Sequence, residues 1–247
     1  MIRKGLLLPD SQPVGVGING ARRGTADLET ESLAVICKWL SDEELAAELF
    51  CAVLAREIRL PAPEPLLLFD PTSGRYVFGS VDLQYPNSLR QFNVDPQAPD
   101  EAAVKVLIDA VAGWSRAREV AAFDEWIQNC DRNLGNILYA GPDDFFIIDH
   151  GRSLNIDPSL GSANVLCDIL MDTCADDRAL RALLKTLHRV SAQFDLIQAE
   201  ASRASVESTG VRTHPMYAAQ FFDLVENRLS TLAALLQNRF PGQQCLL

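Results

Sequence analysis

Apolar residues recur along this chain with two different periods, and the period changes along its length. Pro13 to Asn19 and Ser32 to Trp39 alternate apolar and polar positions, which predicts strands, joined by a polar loop at Gly20-Ala21-Arg22-Arg23-Gly24. Ser41-Asp42-Glu43-Glu44 then fits a capping box, a Ser followed three residues later by Glu. The helix that it opens carries Leu45, Leu49, Ala52, Val53 and Arg56 at helical spacing and stops before Pro61-Ala62-Pro63-Glu64-Pro65. Two further strands are expected at Leu66 to Phe69 and Tyr76 to Val81, with a Pro-Thr-Ser-Gly turn between them.

From Asp100 onward the period becomes helical. Ala102 to Trp114 and Arg116 to Gln128 read as helices, as do the segments 162–175, 177–201 and 214–239. One hairpin interrupts them. Ile137-Leu138-Tyr139 and Phe145-Phe146-Ile147-Ile148 are β-prone runs around the turn residues Ala140-Gly141-Pro142-Asp143-Asp144. Pro158 and Gly161 separate that hairpin from the later helices. The pattern predicts an α+β chain with a small strand-rich unit over residues 1–85 and a larger, mainly helical one over 86–247. Ligand sites favour the cleft between two such units.

Composition narrows the partners. A formal charge of −11 opposes an electrostatic hold on nucleic acid and on an anionic membrane surface. No apolar stretch approaches the roughly 20 residues of a membrane span. The run Leu6-Leu7-Leu8 is too short for a secretory signal, so a cytoplasmic protein is expected. The six cysteines are scattered, with no C-x-x-C pair, which excludes the usual zinc and redox motifs.

The chemistry concentrates around the hairpin. Asn129-Cys-Asp131-Arg-Asn-Leu-Gly-Asn136 precedes it, and Ile148-Asp149-His-Gly151 follows. Phosphoryl transfer from ATP needs such a set: a carboxylate for the acceptor hydroxyl, and an amide and a second carboxylate for magnesium. Magnesium takes oxygen ligands and keeps several waters, so Asn136 and Asp149 suit it. The hairpin would bring Asn136 and Asp149 together at one rim. Asp131 is the candidate base, and Asp124, seven residues earlier, a brace for its loop.

The cation that phosphates require is expected from Lys38, which ends the run Leu33-Ala34-Val35-Ile36-Cys37. Alternation sets Ala34, Ile36 and Lys38 on one face and Val35 and Cys37 on the other. In protein kinases a strand Lys pairs with a Glu on the next helix. Glu43 and Glu44 are explained by capping and the helix dipole, which leaves Glu48 as the partner. Gly15-Val16-Gly17-Ile18-Asn19-Gly20 matches G-x-G-x-x-G but opens no helix, so it is not a dinucleotide fingerprint. The turn that would cover phosphates is either Asp10-Ser11-Gln12-Pro13 or Gly20 to Gly24. His150 beside Asp149 suggests packing or hydrogen bonding, His188 and His214 carry no signal, and Asp168, Asp172, Asp176 and Asp177 read as a solvated face.

In order, Val-Ile-Cys-Lys38, Ala-Glu48-Leu, Leu60-Pro-Ala-Pro-Glu-Pro65, Phe78-Gly-Ser80, Phe123-Asp124-Glu-Trp126, Asp131-Arg-Asn-Leu-Gly-Asn136 and Ile148-Asp149-His-Gly151 resemble the HipA-like kinases, in their compact branch. The resemblance runs from about Gln12 to Leu154, with a distant similarity to phosphatidylinositol kinases. It implies a protein-kinase-like, two-lobed fold that binds ATP and Mg2+. It implies that Lys38 contacts phosphates with support from Glu48, that Ser80, Val81 and Leu83 line the adenine, and that Asp131 is the base. Asn136 and Asp149 would be the magnesium ligands. Asn133 stands where phosphatidylinositol kinases have a His, and Asn129-Cys130 where ordinary protein kinases have His-Arg. Those departures leave the phosphotransfer set intact but not the substrate identity. The expected activity is a kinase acting on a protein Ser or Thr, with a possible cognate regulatory partner. The alternatives are a small-molecule or lipid kinase and a nucleotide-binding pseudokinase.

Overall fold

A computed structural model of the chain describes residues 1–14, 20–154, 159 and 161–240. Six strands come first: β1 (Arg3–Leu7), β2 (Gln12–Pro13), β3 (Arg22–Asp27), β4 (Ser32–Lys38), β5 (Pro65–Asp70) and β6 (Arg75–Val81). They hydrogen-bond in the order β1-β5-β6-β4-β3-β2, and β1 also pairs with β3. That extra pairing closes five of them into a small barrel. Its interior is filled by inward-facing residues of each strand, among them Leu7, Ala26, Val35, Cys37, Leu66, Leu68 and Val77. β1 is parallel to β5 from Arg3 to Leu6 and antiparallel to β3 at Leu6 and Leu7, so the two ladders meet at Leu6, next to Gly5. A Cβ at Gly5 would stand 2.4 Å from Leu28 Cδ2 and 2.8 Å from the Asp27 carbonyl oxygen, so the closure needs a glycine.

Two strands here correct the sequence reading. β1 contains Arg3, Lys4 and Gly5 and has no apolar alternation; it forms because β5, some sixty residues on, offers it a ladder. Arg22 to Gly24, expected in a loop, belong to β3, which pairs with β4 from Arg22↔Cys37 to Asp27↔Ser32. Of the strand expected over Pro13 to Asn19, Gln12–Pro13 pairs with Arg22 and Arg23, while residues 15–19, including most of the G-x-G-x-x-G match, lie outside the described residues.

Helix α1 (Asp42–Glu57) opens on the capping box: Ser41 and Glu44 exchange side-chain-to-backbone hydrogen bonds. It is buried on every side from Leu45 to Ala55 rather than along one stripe. The helical part follows with α2 (Ser88–Gln91), α3 (Glu101–Gly113), α4 (Ala117–Trp126), a 3-10 turn at Leu134–Asn136, and the hairpin β7 (Ile137–Gly141) and β8 (Asp144–Ile147). Helices α5 (Val165–Asp172), α6 (Asp177–Ser191), α7 (Leu196–Glu207) and α8 (His214–Asn238) complete it. The single helix expected over 177–201 is two, because Asp195 and Gln198 form a second capping box that starts α7.

α1 packs against α7 and α8 as well as β5 and β6. Its Phe50 meets Phe221 of α8 edge-on, with centroids 6.0 Å apart. One apolar core therefore runs from the outer face of the barrel, at Leu67 and Phe78, through α1 into the carboxyl-terminal helices. Among the described residues no helix is long and apolar enough to cross a membrane.

Candidate active site

The loop after α4 is held by one buried guanidinium. Arg132 donates from Nε and Nη2 to the two carboxylate oxygens of Asp124, each at 2.9 Å. Its Nη1 reaches the carbonyls of Ile148 at 2.6 Å and Asn136 at 3.4 Å. Asp124 also accepts from Asn129 Nδ2 at 3.1 Å, and Asn129 Oδ1 accepts the Asp131 amide at 3.3 Å. Arg132 and Asp124 are almost wholly buried, where an ion costs several kcal/mol unless its hydrogen bonds are met. Fork geometry meets them here, and it ties α4, the loop and the residue before Asp149 into one unit. Asp124 was expected to brace the loop; Arg132 was not singled out, because an Arg in a polar loop reads as solvated.

The hairpin register sets Ile137 opposite Ile147, and the Ile148 amide donates to the Asn136 carbonyl at 3.1 Å. Asn136 is thereby placed beside the residue that precedes Asp149. Its Nδ2 donates to the Asp131 carbonyl at 3.3 Å, so its Oδ1 is the side-chain atom suited to a cation. Asp149 has φ 64°, a left-handed conformation that costs a non-glycine residue about 1 kcal/mol or more and is held only by its surroundings.

Those surroundings come from the barrel and α1. Lys38, at the end of β4, places Nζ 2.8 Å from Asp149 Oδ1 and 3.7 Å from Glu48 Oε2. The ring of Phe78, its partner across the ladder, lies 5.9 Å below. Burial by itself lowers the Lys38 pKa, but Glu48 and Asp149 overcome it and the ammonium is held above its ordinary value. Burial likewise pushes the Glu48 carboxyl up, and the attraction of Lys38 and the hydrogen bonds of His150 pull it down to about 2. The His150 amide donates to Glu48 Oε2 at 2.9 Å, and its Nδ1 lies 3.5 Å from Oε1. Gly151 passes so close that a Cβ there would lie 3.0 Å from Glu48 Oε2. Glu44 is occupied by Ser41, so Glu48 is the carboxylate of α1 that meets Lys38.

Ser80 and Val81 lie on β6 opposite Ile36 and Val35, two and three residues past Phe78. The Val81 amide donates to the Glu64 carbonyl at 3.0 Å and that of Asp82 to Ala34 at 2.9 Å. Leu83 follows, half-buried, on the segment that leads to Pro86, whose carbonyl accepts from Tyr139 of the hairpin at 2.9 Å. A cavity of about 450 Å³ opens beside Asp149, lined also by Gly20, Trp39, Leu40, Glu44, Gly151 and Arg152. A larger one, about 610 Å³, lies between α3 and residues 172–175 and contains none of the candidate residues. Among the described residues no three His, Cys, Asp or Glu side chains form a metal cluster. One carboxylate and one amide oxygen still fit magnesium, which fills its octahedron with water and phosphate oxygens. The remaining histidines are structural: His188 Nε2 contacts the Ala233 carbonyl at 3.1 Å, and His214 Nδ1 meets Thr209 at 2.8 Å.

The family model described as HipA-like kinase matches residues 32–201, and the chain belongs to that family. Among solved structures it is similar to the Helicobacter pylori proinflammatory kinase CtkA, with TM-score 0.57 and 11% identity over 96% of this chain and 99% of that one. At that identity the likeness is one of fold. No curated protein matches the chain at a significant level.

Replacing Arg132 by Met should lower stability by about 3–5 kcal/mol in urea, because it strands the buried Asp124 carboxylate. Adding Asp124→Leu should recover part of that loss. A double variant no more stable than the single one would shift the effect to the carbonyls of Ile148 and Asn136.

Acid sensitivity should include contributions from His214 and Glu48. Burial holds His214 down at about 4, from an ordinary 6.5, and Glu48 sits at about 2, from an ordinary 4.5. Both folded values lie below the unfolded ones, so both contributions are complete above the ordinary values and are lost as pH falls. The His214 part should go between pH 6.5 and 4, and the Glu48 part between 4.5 and 2. Urea midpoints against pH should lose only the upper limb in His214→Phe and only the lower in Glu48→Gln.

Proposed function

We propose that this chain is an ATP- and magnesium-dependent kinase that passes a phosphoryl group to the hydroxyl of a protein Ser or Thr. The observation that carries this reading is the meeting of Lys38, Glu48 and Asp149 at 2.8 and 3.7 Å, on the rim where the Asp131–Asn136 loop ends. Residues 1–85 then act as the nucleotide-binding lobe and 86–247 as the lobe that carries the loop and hairpin. ATP and Mg2+, when bound, supply the activated phosphoryl group and offset the charge on the phosphate oxygens.

The protein's own contributions follow from the geometry. Lys38 donates to phosphate oxygens, and Glu48, held by the His150 amide, keeps its ammonium pointed at the rim. Asn136 Oδ1 and the Asp149 carboxylate would hold the cation, and Arg132 fixes the carbonyls of Asn136 and of Ile148, the residue before Asp149. Adenine rests along Ser80, Val81 and Leu83; with the Val81 and Asp82 amides already used, Leu83 offers the backbone edge. Asp131 takes the proton of the acceptor hydroxyl onto its carboxylate as that oxygen bonds to the γ-phosphorus and the bond to the departing ADP breaks. Little reorganisation is needed, since the charged groups are in place beforehand. An overall charge of −11 disfavours an anionic lipid acceptor, which it would repel during encounter.

Asp131→Asn keeps the shape but not the basicity. Calorimetry should find ATP binding retained while turnover drops about 10²–10⁴-fold. Loss of ATP binding would assign Asp131 to the architecture of the loop instead.

The ion pair is tested by a cycle of Lys38→Met, Glu48→Gln and their combination, read as kcat/KM. Residues that act as one unit are strongly non-additive, so the double variant should be little worse than Lys38→Met. Losses that multiply would separate the two residues.

A further inference from the structure

The cavity beside Asp149 has a wall that the roles above leave unexplained. Trp39 and Leu40 form its apolar side. The indole is fixed: Nε1 donates to Asp70 Oδ2 at 2.9 Å, and Asp70 is itself held by Ser73 Oγ at 2.6 Å and the Thr72 amide at 2.9 Å. Of the charged residues lining the cavity, Glu44 is engaged by Ser41 and Asp149 by Lys38. Arg152 is the cation of that lining, and its side chain is 41% exposed. Lys38 does not line this cavity, and the reading above already commits it to the ATP phosphates.

Arg152 Nη1 lies 3.8 Å from Asp131 Oδ2. That is longer than a hydrogen bond, and a solvent-exposed pair of this kind contributes little. A guanidinium binds a carboxylate or phosphate far better through two parallel hydrogen bonds. An anionic group on an incoming acceptor can therefore take Arg152 over at small cost. The exchange would set the acceptor hydroxyl beside Asp131, with its neighbouring side chain against Trp39 and Leu40. The chain's negative charge opposes anions at long range, so the selection falls to this one contact inside the screening distance.

We propose that Arg152 is the acceptor-recognition residue, selecting Ser or Thr hydroxyls with a carboxylate or phosphate close by in the same segment. The proposal rests on the kinase reading above and adds the class of acceptor. It is tested with synthetic peptides that share one Ser and differ only beside it, carrying Glu, phosphoserine, Ala or Lys. They are assayed with magnesium and ATP on the full chain, as wild type, Arg152→Gln and Arg152→Glu. Wild type should prefer the Glu or the phosphoserine peptide, and the better of the two names the anion. Arg152→Gln should cut kcat/KM on those peptides about ten- to a hundredfold through peptide KM, leaving ATP KM and the Ala peptide little changed. Arg152→Glu should move the preference to the Lys peptide.

An equal loss on every peptide, or a raised ATP KM, would place Arg152 on the nucleotide or in the framework and overturn the proposal. So would a wild type without preference, or one that turns over ATP in the presence of magnesium but phosphorylates no peptide. A wild type with no ATP turnover at all would instead sink the kinase reading, and this proposal with it.

Discussion

A guanidinium sealed from water must have its hydrogen bonds met, and the site of this protein is organised around one that does. Arg132 satisfies Asp124 on α4 and, with its remaining nitrogen, the carbonyls of Asn136 and Ile148. Those carbonyls belong to one candidate metal ligand and to the residue before the other. The loop conformation, the hairpin register and the placement of Asp149 are thus not independent. Changing any one of them leaves a buried charge short of a partner, which costs more than most surface interactions contribute.

Glu48 plays a similar part from the side of α1. It receives the His150 amide and faces Lys38, so the segment after the hairpin, α1 and β4 meet on one carboxylate. In protein kinases the helix that bears this Glu is a point of control, because its position makes or breaks the pair. Here α1 is enclosed from Leu45 to Ala55 by β5 and β6 on one side and by α7 and α8 on others. Swinging it outward would expose that whole buried surface at roughly 25 cal/mol per Å² of apolar area. The pair is therefore built into the core rather than assembled on demand. The closed barrel adds to this rigidity, since β4 is paired with β3 from Ser32 to Cys37 and with β6 from Val35 to Lys38.

Much of this was legible beforehand. The capping box at Ser41, the turn between β5 and β6 and the hairpin around Gly141 are local signals. Each depends on residues within a few positions of one another, where spacing and residue type carry the physics. The resemblance to HipA-like kinases rests likewise on short runs in a fixed order, and the family model over residues 32–201 shows the membership.

What lay beyond reach was set by partners far away in the chain. β1 and β3 have little strand character of their own and exist because β5 and β4 offer them ladders. α1 shows an apolar stripe in its spacing, yet its alanines and Cys51 are buried too, because small side chains let other helices close over them. Arg132 looks like any loop arginine until the fold removes water from it. The sequence by itself determined the elements that carry their own local signals and the residue types available for chemistry, since both are local properties. Only the tertiary structure decided which charges are buried and paired, because desolvation depends on everything packed around a group and not on its neighbours in the chain.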